Sequence, residues 1–320
     1  MSDKKSTLLT RLPVVFALAM FCNILWASAV PAIKIAYGLF SLAPDDTASR
    51  ILLAGVRFIL AGAMTLLFSS AIYRRPLLFS RSTFKYIFSL SLMQTVGQYF
   101  FFFMSLAYIS GVRGTIINAS GNFLAIIMAA FVFRLEKITL KKILGCVLGF
   151  AGILLIIGGF EGLGSGGITF RGEGAMIMAA LFYSLANCSI KIFSKYENTV
   201  VLSGYQFLLG GIILAVIGLC MGGSLHFNDP WCFPILLYLG LVSAGAFTVW
   251  GILLSHNPVS RVSIFGFMNP VIGVFLSALL LGESNEAFSV TGLLALALVA
   301  LGILIVNYNG PQNKETKSGI

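Results

Sequence analysis

This sequence predicts an all-α membrane protein of ten transmembrane helices, arranged as two inverted five-helix repeats. Three observations predict it. First, of 320 residues 58% are hydrophobic and only 10% charged, against about 25% charged in soluble domains. Second, the apolar residues gather into stretches of the length that spans a bilayer core, about 20 residues. Third, the chain repeats itself. Trp26-Ala-Ser-Ala-Val-Pro-Ala-Ile-Lys34 returns as Tyr183-Ser-Leu-Ala-Asn-Cys-Ser-Ile-Lys191 at an offset of 157. Val56-Arg-Phe-Ile-Leu-Ala-Gly62 then returns as Tyr205-Gln-Phe-Leu-Leu-Gly-Gly211 at 149, and Val112, Ile117, Asn122 and Glu136 pair with Val259, Ile264, Asn269 and Glu283 at 147. Three matches in one order, with a slowly shrinking offset, read as a duplication.

The spans fall at about 12–34, 51–71, 84–108, 113–133, 140–159, 173–194, 201–221, 233–254, 260–281 and 289–307. The first repeat covers 12–159 and the second 173–307, with 308–320 a polar cytoplasmic tail. Mean hydropathy is +0.97, and no room is left for a soluble domain. The net charge of +10 invites a nucleic-acid reading, but the location of the charge argues against it. With the N-terminus cytoplasmic, Arg50, Arg113 and Arg171 lie outside, Lys34 and Arg57 lie inside or near helix ends, and the other 16 of 21 basic residues lie on the cytoplasmic side. That is the positive-inside bias. The expected setting is the plasma membrane of a bacterial cell, with the lipid bilayer as partner and both termini cytoplasmic.

In the first helix, Ala27-Ser28-Ala29 has the look of a signal-peptidase site, but cleavage there would cut through the unit repeated at 183–191, so the helix is expected to stay. Pro31 predicts a kink or break. Gln94 and Gln98 share a face of the third helix, and Asn118 and Asn122 share one of the fourth. The fifth helix carries Gly145, Gly149 and Gly152, a small-residue seam for close packing, open either to a homodimer or to a neighbour within the chain. The Gly-rich stretch 162–167 lacks the Gly-Lys-Ser/Thr ending of a P-loop and reads as an outer loop. Because five is odd, the second half enters the membrane upside down. Its helices carry Tyr183, Asn187 and Lys191 on one face, then Tyr205-Gln206, Trp250 and Asn269-Pro270.

Inverted repeats are a recurring transporter architecture, with substrate near the midplane at the repeat interface. The aromatic-to-lysine unit in helix 1, Arg57-Phe58, Gln98, Leu135-Glu136 and Leu281-Gly282-Glu283 together resemble the drug/metabolite transporter superfamily, and within it the EamA family of ten-helix carriers. The likeness covers about 12–307, with one departure: no proline stands near Asn122 in helix 4, whereas helix 9 keeps Asn269-Pro270. The resemblance implies export or exchange of small metabolites, amino acids and related compounds prominent among them. Multidrug efflux and a passive small-solute channel are the alternatives.

The residues narrow this further. Polar side chains within membrane helices tend to face the bundle interior or a cavity, or else bond between helices at about 0.6 kcal/mol each. The substrate is expected between helices 1, 3, 4, 6, 8 and 9, touching Trp26, Gln98, Asn122, Tyr183, Asn187 and Trp250, with Tyr99 and Phe102 available to an aromatic wall. Lys34 and Lys191, at symmetric depths in opposite leaflets, are either snorkelling to headgroups or charges at the two mouths. None of the eleven carboxylates lies mid-helix, which favours a neutral, zwitterionic or anionic substrate over a lipophilic cation. Glu136 and Glu283 are expected to cap helix starts.

No organic cofactor is implied, and the five scattered cysteines form no metal-ligand spacing. They read as small buried hydrophobes, with Cys220–Cys232 the one conceivable pairing. Enzyme activity is not expected: Ser165 and His226 fall in outer loops and His256 on the opposite side, beyond the reach a nucleophile–base pair needs.

Overall fold

The computed structural model describes residues 8–43, 45–106, 108, 111–156, 169–272 and 290–307. Among them every regular element is helical. We label these α1 (Leu12–Leu39), α2 (Thr47–Tyr73), α3 (Arg81–Ser105), α4 (Gly111–Ile127, continuing as a π-helical turn Met128–Val132), α5 (Leu140–Ile156), α6 (Phe170–Phe193), α7 (Thr199–Cys220), α8 (Cys232–His256), α9 (Val259–Ile272) and α10 (Val290–Asn307). Six of them, α1, α2, α3, α6, α7 and α8, are long and apolar enough to cross a membrane. Shorter apolar runs lie in α4, α9 and α10. Large hydrophobic side chains such as Leu67, Ile72 and Leu140 are exposed, as lipid-facing helix surfaces require.

Local chemistry sets the helix ends. The Asp46 carboxylate accepts the Ser49 amide at 2.9 Å and starts α2, and the Asn198 side chain accepts the Val200 amide at 2.8 Å and starts α7. Thr169 does the same for α6 through Gly172, at 3.1 Å. As expected, Glu136 caps a helix start, that of α9: its carboxylate accepts the Ser260 amide at 3.0 Å and the Ser260 hydroxyl, and it pairs with Lys142 at 2.5 Å. Glu283 lies outside the described residues. The break expected at Pro31 does not form. The helix runs through it, leaving the Ala27 carbonyl without its usual amide donor, a loss that helices in lipid tolerate where neighbours pack closely. Cys22, Cys146, Cys188 and Cys232 are buried, Cys220 is exposed, and all five thiols are free.

Two close-packed pairs hold the bundle. In the α2–α7 pair, a Cβ on Gly62 would stand 2.6 Å from the Leu208 backbone nitrogen, and one on Gly211 2.6 Å from that of Ile59. Only glycine permits that approach. The α5–α10 pair uses the glycine seam of α5, since a Cβ on Gly302 would meet the Gly145 carbonyl at 2.6 Å and the Gly149 nitrogen at 3.2 Å. This seam is therefore used within the chain. Around these pairs α1 packs on α8 and α9, α6 on α3 and α4, α8 on α2, and α7 on α3.

Both ends of the bundle are tied. At one end Thr83 donates to the Glu197 carboxylate at 2.6 Å, Tyr86 stacks on Tyr196, and Asn257 and Arg261 donate to the carbonyls of Leu9 and Thr10. At the other, Ser224 donates to Ser49 at 3.0 Å, Phe40 packs edge-on against Phe227, and Ser105 donates to the Gly172 carbonyl. What lies between is enclosed.

Candidate functional site

Midway along α8, three side chains share one face at spacings of four and three: Ser243, Phe247 and Trp250. The Trp26 ring from α1 meets both aromatics of this face edge-on, with centroids 5.1 Å from Phe247 and 5.1 Å from Trp250. Phe247 in turn meets Phe58 of α2 and Phe207 of α7, and Phe58 meets Tyr99 of α3 at 4.6 Å. Rings from five helices thus form one connected wall. Edge-to-face contacts of this kind add about 0.5–1.5 kcal/mol each beyond area burial, so the wall is a rigid surface.

The amides sit on the neighbouring helices. Asn122 of α4 accepts a hydrogen bond from the Tyr183 hydroxyl of α6 at 3.1 Å. Two glycines let the helices come this close. Gly121 lies against the Tyr183 ring, and Gly266 of α9 lies directly on the Asn122 side chain, so that any Cβ there would collide with it. One turn beyond Tyr183, Asn187 is fully buried and neither of its amide atoms has a hydrogen-bond partner. The Gln98 oxygen, the Trp26 indole nitrogen and the Trp250 indole nitrogen are likewise buried without partners. A buried polar atom left unpaired costs about 1–3 kcal/mol, and these four residues with such atoms stand on α1, α3, α6 and α8.

The structure therefore joins Trp26 with Trp250, and Asn122 with Tyr183, and places Asn187 on the Tyr183 face. Gln98 is buried on α3 beside Tyr99, which belongs to the wall. Gln94 and Gln98, expected on one face, have separate fates, because the turn Ser91–Gly97 is π-helical and does not keep the α-helical i, i+4 register. Gln94 accepts from Gln206 at 3.1 Å while Gln206 accepts from Thr95 at 2.7 Å, a closed link between α3 and α7. Asn23 donates to the carbonyls of Ala19 and Phe265, tying α1 to α9. Lys191 stands apart from the wall: its ammonium donates to the Ser255 carbonyl at 3.1 Å, five residues past Trp250 at the C-terminal end of α8, where a cation suits the helix dipole. Lys34 belongs to α1, and its side chain lies outside the described residues.

Arg57, expected inside or near a helix end toward the outer side, lies on α2, which starts at Thr47 on the Asp46 cap. Arg57 is 4% exposed, and its Nε donates to the Ser243 hydroxyl at 2.8 Å. Ser243 lies about 17 Å from one end of α8 and about 20 Å from the other. The guanidinium carbon also lies 5.1 Å from the Phe58 ring centroid and 5.9 Å from that of Tyr99. Among the described residues no carboxylate pairs with Arg57.

No group of three or more His, Cys, Asp or Glu able to hold a metal ion occurs among the described residues. A depression of about 570 Å³ at the α4–α5 turn, lined by Phe131, Arg134 and Glu136, is separate from the aromatic wall.

Comparison with known proteins gives a consistent result. A solved crystal structure superposes with a TM-score of 0.72 over 91% of this chain and 97% of its own, at 18% identity, which establishes likeness of fold alone. The chain is 23% identical over 91% of its length to "Uncharacterized transporter YoaV" of Bacillus subtilis, of which it covers 96%. It is 26% identical over 93% of its length to a protein of Salmonella typhimurium called "Probable amino-acid metabolite efflux pump", of which it also covers 96%. These are names of transporters and not of enzymes. The model of the EamA-like transporter family matches residues 14–158 and again 170–308, and with nearly the whole of an apolar, all-helical chain so matched, this integral membrane protein belongs to the EamA-like transporter family.

Proposed function

We propose that this chain is a carrier that exports or exchanges small metabolites, amino acids or related neutral, zwitterionic or anionic compounds, by alternating access. The observation that carries this reading is the set of partnerless buried polar atoms on Trp26, Gln98, Asn187 and Trp250 about an enclosed aromatic wall. Asn122 and Tyr183 complete the site, and Lys34 and Lys191 act as charges at its two mouths. The name of the Salmonella relative supports amino-acid metabolites as the substrate class.

The ten helical segments follow the ten apolar stretches, which supports ten spans in two five-helix units, 12–159 and 173–307. Their contacts are reciprocal: α1 meets α8 as α6 meets α3, α4 meets α6 as α9 meets α1, and α8 meets α2 as α3 meets α7. That exchange symmetry is what two inverted repeats produce. With positive charge held inside, the end carrying Glu136 and Glu197 faces the cytoplasm of a cell with this protein in its plasma membrane, and both termini lie there. Few polar contacts tie each end, so either is able to open while the other stays shut.

The test is counterflow in proteoliposomes preloaded with mixed amino acids. A carrier gives saturable, preload-dependent uptake of a labelled trace. Exchange driven by organic anions alone would keep the carrier and change its substrate, whereas unsaturable leakage of every solute rules out alternating access.

A further inference from the structure

Arg57 is the most costly side chain to place in this bundle. An arginine at the centre of a membrane helix is disfavoured by about 2.5–3.5 kcal/mol on insertion scales, and a buried charge is tolerated when it is paired. Here the guanidinium is 4% exposed, is held by the Ser243 hydroxyl, lies over two ring faces with the Tyr99 phenol beside it, and meets no carboxylate among the described residues. Every described acid except Asp45 and Asp46 is held well away from it: Glu136 by Lys142 and Ser260, Glu173 by Thr169, Glu197 by Thr83, and Asp229 by the Trp231 amide. Asp46 caps α2 through Ser49, and Asp45 lies beside it in the α1–α2 loop.

The serine that holds Arg57 is one turn from Phe247 and two from Trp250 on the same face of α8, and Trp26 packs on both of those rings. The guanidinium therefore enters the aromatic wall from the α2 side, while the partnerless amides of Asn187 and Gln98 stand on α6 and α3. We propose that Arg57 is a specificity-determining residue that binds the carboxylate of the transported metabolite, so that the substrate must carry an acid group. The donor used on Ser243 is Nε; a carboxylate displaces the Tyr99 phenol beside the guanidinium and takes the two terminal nitrogens of the fork, the edge that matches it with two parallel hydrogen bonds. The substrate's other polar groups then reach the unpaired amides, and its apolar part lies on the Trp26–Trp250 surface. Neutralising Arg57 within the bundle becomes part of the free energy of binding, and a cationic drug is excluded by like charge.

This inference rests on the carrier reading, and the experiment separates the two. Proteoliposomes are preloaded with L-leucine, L-phenylalanine or L-glutamate, or with the carboxamide or decarboxylated amine of each, and uptake of a labelled amino-acid mixture is followed. The acids are expected to drive exchange, and the amides and amines to be at least about tenfold weaker, the ratio lost with one charge-assisted hydrogen bond. Arg57→Gln, which retains a donor for Ser243, should lose that preference while remaining monodisperse, and Arg57→Lys should restore part of it. A merely structural arginine would lower exchange of acids and amides alike. Amides or amines as effective as the acids in the native protein overturn the inference and leave the carrier standing, and so does undiminished discrimination in Arg57→Gln. Exchange driven neither by any member of the panel nor by organic anions overturns both.

Discussion

Asn122 and Gln206 are both buried amides in membrane helices, and sequence treats them alike. Their surroundings do not. Gln206 is closed on both sides, by Thr95 and Gln94, so it joins helices and offers nothing to a ligand. Gln206→Leu should destabilise the purified protein by about 1–3 kcal/mol, the cost of leaving its partners unpaired, seen as a lower melting temperature, without altering which solutes drive counterflow. Asn122 holds the Tyr183 hydroxyl at the edge of the site. Asn122→Leu keeps the volume beside Gly266 and removes the acceptor. Transport is expected to fall at least about tenfold in a protein that still inserts and purifies normally, and wild-type flux in such a protein would remove Asn122 from the site. Asn187 carries no such ambiguity. It is fully buried with both amide atoms unpaired, which no spacing rule distinguishes from a bonded asparagine.

At the scale of the element, the α2–α7 pair depends on glycine. Gly62 and Gly211 each face the partner backbone at a distance that a Cβ does not permit, so Gly211→Val should separate the helices and abolish expression of folded protein, as seen by loss of a monodisperse peak in detergent. Gly38, whose added Cβ meets nothing within 4 Å, is the control, and Gly38→Ala should be silent. The π-helical turn in α3 is an element of another kind. Apolar periodicity places a helix over 84–108 but carries no mark of an extra residue per turn, so the parting of Gln94 from Gln98 was not legible. The start of α2 was legible in principle, since Asp46 stands three residues before the amide it caps.

Across the whole molecule, the proposed site lies between two tied ends, and alternating access requires each to open in turn. Thr83 and Glu197 join α3 to the α6–α7 turn. With cysteines at both positions, a short cleavable thiol–thiol cross-linker should stop counterflow, and cleavage should restore it. Continued exchange in the cross-linked protein means that this end does not open during transport. Orientation is tested in separate variants that also lack the exposed Cys220. Thiol reagents added to intact cells should reach a cysteine at Ser224 and leave one at Ser82 unreacted, and the reverse pattern would invert the proposed topology.

The all-helical class and the membrane setting could be read from local chemistry, the apolar stretches and the placement of basic residues, and the family from the resemblance of short motifs. Each is a property of sequence alone, and each survives whatever the helices pack against. The division of buried polar groups into mortar and site could not be read that way. Gln206 is satisfied and Asn187 is not because of what stands opposite, 111 residues away in one case and nothing in the other. Arg57 meets α8 near its middle because α2 packs beside Ser243. Satisfaction of a buried polar atom depends on contacts between helices distant in sequence, and only the packed bundle specifies those.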